Sequence, residues 1–217
     1  RGHRVILLDR KQPGRETSFG NTGVLSDSSI VIVNNPGLLK QLPKLISNQG
    51  LKLRYSPGFV LKHLPWGLRF LRYCTQGHFE HAARALRAIQ VLSLDIHKEL
   101  IGEAGVDHLL RHTGWLKVFR SEESFRAYDM ERGVLEKTGV RHTVFNSDQL
   151  TRIEPGLAPV FVAGVLMEDT CSVSSPAALC DAYVQLFVDA GGEVRQGAAT
   201  GLAQLSDGAW QVILEQE

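Results

Sequence analysis

Apolar residues along this chain fall into short runs whose spacing separates strands from helices. Val5-Ile6-Leu7-Leu8, closed by Asp9-Arg10, is a continuous apolar run between polar residues, the pattern of a buried strand in a parallel sheet. A polar, glycine-bearing loop follows over 11–23. Pro36-Gly37 then leads into a short amphipathic helix over 38–42, interrupted by Pro43, and 51–55 reads as a short strand. A helix is predicted over 65–74 and a longer one over 79–101. In the longer helix Ala82, Leu86, Ile89, Leu92, Ile96 and Leu100 recur at three- and four-residue steps, a stripe predicted to face the core. Gly102 and Gly105 end it.

Alternation of apolar and polar residues makes 115–119 a half-buried strand. Ser121 is placed to cap a helix running to Thr138 and stopped by Gly139, and 146–153 reads as a short capped helix ended at Glu154-Pro155. A strand over 160–167, a helix over 176–190 stopped by Gly191-Gly192, and strands at 193–196, 201–205 and 210–214 complete the pattern. The last two strands are joined by the turn Ser206-Asp207-Gly208. The fold class is α/β: a helix-rich middle interrupts a parallel-strand opening, and a strand-rich end is placed to return to the first sheet. The chain opens without methionine, and Gly2-His3 before the first strand has the character of residues that come after a helix end. It therefore reads as beginning inside a βαβ unit, after that unit's first strand and helix. No G-x-G-x-x-G occurs in it.

The composition, 43% apolar and 22% charged over 217 residues, is that of a globular chain with a sizeable core. A formal net charge of +1 argues against a dedicated nucleic-acid binder, and no run approaches the roughly 20 apolar residues that span a bilayer. Cys74, Cys171 and Cys180 are an odd number without C-x-x-C spacing. They fit a reducing, cytoplasmic setting and are read as small buried hydrophobes, with no neighbour in sequence to activate a thiol.

Asp9 is the sharpest chemical candidate. A carboxylate at the C-terminal end of such a strand is placed to accept hydrogen bonds from the ribose hydroxyls of an adenine dinucleotide, or simply begins a loop. The next segment, Arg15-Glu16-Thr17-Ser18-Phe19-Gly20-Asn21-Thr22-Gly23-Val24-Leu25, gathers hydroxyls, an amide and two glycines. Its backbone can press against a flat ring or a pyrophosphate, with a following helix start to favour an anion, or it is a surface loop. These residues alone leave both readings open.

The run from Gly2-His3-Arg4-Val5 through Asp9-Arg10 and then Glu16 to Gly23 resembles the FAD-binding start of D-amino-acid dehydrogenases, in the D-amino-acid oxidase superfamily. The likeness continues in order through Leu53-Arg54, Leu68 to Cys74, Thr113 to Arg120, Leu150 to Pro155, Gly164 to Asp169 and the segment from Ser174 to Gly192. It implies a partial FAD-binding, Rossmann-like domain made of 1–50 and 173–217, lacking its first strand and glycine loop. An α+β substrate domain over 51–172 is inserted into it. It further implies that Asp9 binds the adenosine ribose, Arg10 lines the adenine, Thr17 and Ser18 meet the pyrophosphate, and Asn21, Thr22, Gly23 and Val24 run beside the flavin. Thr200 stands where the family, usually with valine, offers a backbone amide and carbonyl to adenine. Alanine is usual in the family where this chain has Gly20 or Thr22. The implied chemistry, that of a full-length parent with the piece itself expected to be inactive, is hydride transfer from a D-amino acid's Cα to flavin N5, after which the imino acid hydrolyses to a keto acid and ammonia. No side-chain base is named. Arg54 and Trp115 are the substrate-side candidates, each weighed against a plain solvated or core role. A glycine- or sarcosine-oxidase-like amine oxidase is the near alternative, and a piece that folds without holding FAD is the non-catalytic one. Without its glycine loop the chain is expected to bind FAD weakly at best.

Two patterns remain. His78/His81 and His108/His112 have helical spacing but lack a third ligand in sequence, so no metal site is expected. Between Asp27 and Glu80 there is no acidic residue, while Lys40, Lys44, Lys52, Arg54, Lys62, Arg69 and Arg72 are interleaved with Trp66, Phe70, Leu71 and Tyr73. That stretch reads either as a solvated basic face or as one that docks on the inner, anionic face of the cytoplasmic membrane, where electrons can pass to a quinone.

Overall fold

The computed structural model describes residues 2–39 and 56–215. The strand predicted at 51–55, Arg54, and the helix beyond its opening turn at 36–39 lie outside the described residues. The chain divides into two compact units, Arg1–Leu25 with Leu94–Thr113 and Cys171–Glu217, and Ser26–Ser93 with Gly114–Thr170. This division assigns 26–39, 94–113 and 171–172 differently from the sequence-based domain boundaries.

In the first unit β1 (Ile6–Asp9) pairs in parallel with β8 (Glu193–Gln196), from Ile6 opposite Glu193 to Asp9 opposite Gln196. The antiparallel hairpin of β9 (Ala199–Gln204) and β10 (Trp210–Leu214) turns at Gly208, as Ser206-Asp207-Gly208 predicts. The strands β2 (Val24–Leu25), β7 (Cys171–Val173) and β3 (Leu110–Arg111) form a small antiparallel sheet with β7 in the centre. Helix α7 (Pro176–Asp189) starts at Ser175, whose side chain accepts the Ala178 N–H with proline in the first turn. Leu179 of α7 joins Ile101, Leu109 and Val173 in the core.

Helices fill the second unit around the antiparallel sheet β4–β6–β5. There β6 (Ala163–Met167) runs between β4 (Trp115–Phe119) and β5 (His142–Asn146). Around it lie α1 (Pro57–Lys62), α2 (Leu64–Arg72), α4 (Glu122–Arg126), α5 (Asp129–Lys137), α6 (Ser147–Ile153) and the greater part of α3 (Gln76–Glu103). Asn146 and Gln149 cap α6 reciprocally, the predicted start signal. The core gathers Ile30, Phe79, Phe119, Tyr128, Leu135 and Val165.

Three expectations are corrected. The helix foreseen from Ser121 to Thr138 is two helices: Ser121 does cap the first, with Ser124 in a capping box, but the Tyr128 N–H bonds the Phe125 carbonyl one residue early. The tightened turn sends Tyr128 into the core, 5.2 Å from the Phe119 ring. Strand β1 is parallel as foreseen but not buried, with Val5, Ile6 and Leu7 exposed, because β8 is its single paired neighbour among the described residues.

The third concerns α3. Of its predicted inward stripe, Leu86 packs partly on the core, but Ile89 is 75% exposed and Leu92 and Ile96 also face solvent. The inward side instead carries Phe79, Ala83, Arg87 and Gln90. The irregular segment after β2 explains the rotation. Its main chain is not paired in a sheet, so its carbonyls need donors from elsewhere. Arg87 donates to the Asp27 carbonyl at 2.9 Å and its carboxylate at 2.6 Å, and Gln90 donates to the Ser29 carbonyl at 3.0 Å. Burying an isoleucine contributes about 1.5–3 kcal/mol. Several unpaired buried acceptors, one of them charged, cost more than that together. The polar side therefore turns in.

Replacing Arg87 by Met leaves the nearly buried Asp27 carboxylate without its partner. Urea unfolding of Arg87→Met is expected to show a loss of about 3–5 kcal/mol, part of which Asp27→Asn restores in the double variant.

Candidate functional site

At the C-terminal end of β1, Asp9 is fixed by one carboxylate oxygen: Oδ1 accepts the Lys11 N–H at 3.0 Å. Oδ2 has no hydrogen-bond partner among the described residues. The Gly197 N–H donates to the Asp9 carbonyl at 2.8 Å, and the Gln196 side chain donates to the Arg10 carbonyl at 3.2 Å. The strand end thus lies against residues 196 and 197, a clamp for which the sequence offered no signal. Three residues on, Thr200 is the extra residue of a β-bulge. Gly201 pairs with Ile213 and Ala199 with Leu214, leaving Thr200 unmatched, and its hydroxyl donates to the Ile213 carbonyl.

Arg10 and Lys11 are both drawn to Glu16, which accepts Arg10 Nε at 2.7 Å and lies 3.1 Å from Lys11 Nζ. Hydrogen bonds from Arg10 and Lys11 hold the Glu16 carboxyl below the usual carboxylate range, and the same pairing raises Arg10. Arg15 grips Asp181 of α7 through both carboxylate oxygens, at 2.9 and 2.7 Å. Thr17 and Ser18 lie in the turn closed by Phe19 N–H to the Glu16 carbonyl. Asn21 accepts the Gly23 N–H through its side chain at 2.7 Å, leaving Asn21 and Thr22 exposed. The expected helix start is not there: Val24 enters β2 instead, because the chain pairs at once with β7.

Gly23 is the tightest point of the segment. Its φ is +66°, and a Cβ there would sit 2.4 Å from the Val173 carbonyl oxygen, while its own carbonyl accepts the Val173 N–H at 2.7 Å. Backbone lies against backbone, so no side chain fits. The elements of the candidate site are a half-anchored carboxylate at a parallel strand's end, a β-bulge at Thr200 and a hydroxyl-bearing turn.

Within the second unit Trp115 is 44% exposed and lines a cavity of about 280 Å³ with Ser28, Ser29, Lys117, Tyr128, Glu131 and Met167. The plain reading of Trp115 as core is therefore corrected. Lys117 stands two residues along the same strand, on the same face. Its Nζ is 3.3 Å from Glu131 and 3.9 Å from the Tyr128 ring centre. Burial, aided by Glu131, pushes the Tyr128 hydroxyl up to about 12. Sequence reading missed Lys117, Tyr128 and Glu131, although the i, i+2 and i, i+3 spacings that converge them are visible in retrospect.

Among the described residues no three metal-binding side chains cluster. The structure does give Cys171 a neighbour that its sequence surroundings do not show, His112 Nδ1 at 3.3 Å from Sγ. Cys74 and Cys171 are buried, as read, and Cys180 is half-buried.

Gly23→Ala forces a left-handed, non-glycine residue into the Val173 carbonyl, and chemical denaturation is expected to show a loss of about 2–3 kcal/mol. Tyr128, raised above its unfolded value, makes a pH-dependent contribution to stability. That contribution is intact below pH 10 and falls away as pH climbs toward 12, since only the unfolded chain readily ionises there. Unfolding curves over that interval are expected to be flatter for Tyr128→Phe than for the parent chain.

The family model described as FAD dependent oxidoreductase (DAO) matches residues 1–217. A D-amino-acid oxidase of Bradyrhizobium diazoefficiens is 32% identical over 206 residues, covering 93% of this chain and 48% of that protein. A D-amino acid dehydrogenase of Vibrio atlanticus is 27% identical over 160 residues, covering 73% and 38%. Among solved structures, glycine oxidase from Geobacillus kaustophilus superposes with a TM-score of 0.62 at 18% identity, over 99% of this chain and 45% of that one. The FAD-bound L-alpha-glycerophosphate oxidase from Mycoplasma pneumoniae gives 0.59 at 14%, over 98% and 44%. The chain spans about half the length of the first of these relatives, and less of the others. These likenesses share one fold, the α/β architecture with a partial Rossmann-like nucleotide domain, and the match along the whole sequence makes this chain a member of the FAD-dependent oxidoreductase family.

Proposed function

We propose that the protein is an FAD-dependent amino-acid oxidoreductase whose substrates are D-amino acids. The observation that carries the reading is Asp9, a carboxylate anchored through one oxygen at the end of a parallel strand, in a chain of this family. The names of the relatives, D-amino-acid oxidase and D-amino acid dehydrogenase, support the substrate class. The domain division that goes with it takes 1–50 and 173–217 for the dinucleotide and 51–172 for the substrate.

In this reading Asp9 Oδ2 accepts a hydrogen bond from an adenosine ribose hydroxyl, and Arg10, steadied by Glu16, lines the adenine. Main chain at the Thr200 bulge serves the adenine edge. Thr17 and Ser18 offer hydroxyls to the pyrophosphate, and Asn21, Thr22, Gly23 and Val24 hold a narrow backbone wall beside the ring system. When bound, FAD would supply the redox chemistry as the acceptor of hydride from the amino acid's Cα, the imino acid then hydrolysing to a keto acid and ammonia. Trp115 is assigned to the substrate side; Lys117 and Glu131 give its cavity one cation and one anion, the complement of a zwitterion. Arg54 keeps its substrate-side assignment as an expectation outside the described residues. Oxygen or a quinone completes the cycle as electron acceptor.

Asp9→Asn is expected to weaken FAD binding about tenfold or more, as loss of a charge-assisted hydrogen bond does, measured by flavin fluorescence quenching. With FAD loaded, anaerobic addition of D-amino acids is expected to bleach the flavin absorbance, while L-amino acids leave it intact. Trp115→Ala should raise the D-amino acid concentration needed for half-maximal bleaching. Flavin that no amino acid bleaches overturns the reading.

A further inference from the structure

Helix α3 carries an apolar stripe on its outer side. Ala82, Ala85, Ile89, Leu92 and Ile96 follow one another at alternating steps of three and four residues, so they stay within about a quarter of the helix circumference. Phe79, Ala83, Leu94 and Ile101 are buried on the opposite side. The three large members of the stripe are uncovered: Ile89 is 75% exposed, Leu92 61% and Ile96 49%. A seven-residue repeat of this kind is the seam by which one helix packs against another, and in water it contributes nothing until a second surface covers it. Charge along one edge of the stripe changes sign from end to end. Arg84 stands beside the first half, Asp95 and Glu99 beside the second, all three exposed and in no salt bridge among the described residues.

We propose that the outer face of α3 pairs with the same face of a second copy of this chain, the two helices antiparallel about a two-fold axis between Gln90 and Val91. In that register Ile89 meets Leu92 of the second copy and Ala85 meets Ile96, so a large side chain has a small one opposite it toward each end. The axis makes every contact twice. The charges select both the partner and its direction. A partner for this edge must be acidic where Arg84 stands and basic beside Asp95 and Glu99, and the edge itself, reversed, has that order. Arg84 of each copy then lies across from Asp95 and Glu99 of the other. A parallel pair would instead set Arg84 against Arg84 and Glu99 against Glu99, which is repulsive. The pairing does not rest on the flavin reading.

The test is sedimentation equilibrium of the whole chain over a range of concentrations, with circular dichroism as the check on folding. The mass is expected to move from one copy to two. Leu92→Asp is expected to raise the dissociation constant about a hundredfold or more, with helical content unchanged because the side chain is exposed. Arg84→Glu and Asp95→Arg are each expected to weaken association roughly tenfold, and the Arg84→Glu/Asp95→Arg double variant to recover it. For direction, Ala85→Cys/Ile96→Cys is expected to form an intermolecular disulfide on mild oxidation, while Ile96→Cys alone forms no more than the parent chain. A single copy at every concentration, or association that Leu92→Asp leaves intact, would overturn the proposal. So would association that ignores the charge swap, as an apolar face meant for another cover would give, or a disulfide formed by Ile96→Cys alone.

Discussion

The second unit depends on one buried ion pair. Arg87 and Asp27 meet at 2.6 Å with little of either side chain in water, and the same guanidinium takes the Asp27 carbonyl. Through that contact an irregular strip of main chain is fastened to the long helix, and Ile30, a few residues on, reaches the core with no accessible surface. The cavity beside Trp115 takes part of its wall from the same strip, through Ser28 and Ser29. A pair so enclosed contributes little net free energy against a well-packed apolar alternative, since desolvation offsets most of the attraction. Its effect is geometric, because it fixes which side of α3 faces inward.

That effect also marks where sequence reasoning stopped. Strand β4, the last three strands and the helix starts at Ser121, Asn146 and Ser175 were legible because local signals agree, whereas β5 and β7 carried no signal that was read. Ser121, Asn146 and Ser175 are caps whose side chains bond the first turns they precede, and Gly208 turns a hairpin. Which face of α3 is buried was not legible, since periodicity weighs apolar residues alone. The winning interaction joins residue 87 to a carbonyl sixty positions away. Tyr128 was missed for a similar reason. Its inward turn is produced by a hydrogen bond made one residue early, which no spacing of apolar residues encodes.

The residues proposed for the nucleotide drew on clearer local signals than those proposed for the substrate. Asp9 follows from strand logic, and Gly23 from the backbone freedom a close approach demands. The structure gives both a concrete environment: a carboxylate oxygen without a hydrogen-bond partner among the described residues, and a carbonyl oxygen occupying the space that a side chain at 23 would need. Residues 196 and 197, which hold the strand end, have ordinary neighbours and no motif, so only coordinates bring them in. The substrate side rests on convergence between a strand and a helix, Lys117 with Glu131, which a linear scan records as two unremarkable charges.

The pairing of β1 with β8, and of Gly23 with Val173, joins residues that are far apart in sequence. The β4–β6–β5 sheet closes much shorter loops. Closing long loops before any contact rewards them is slow, and local sheets form first. During synthesis the segment beside Gly23 must therefore wait, without its partner strand, until residues near 173 have emerged. The segment therefore takes its shape only after the β4–β6–β5 sheet, which lies between the two in sequence, has had time to form.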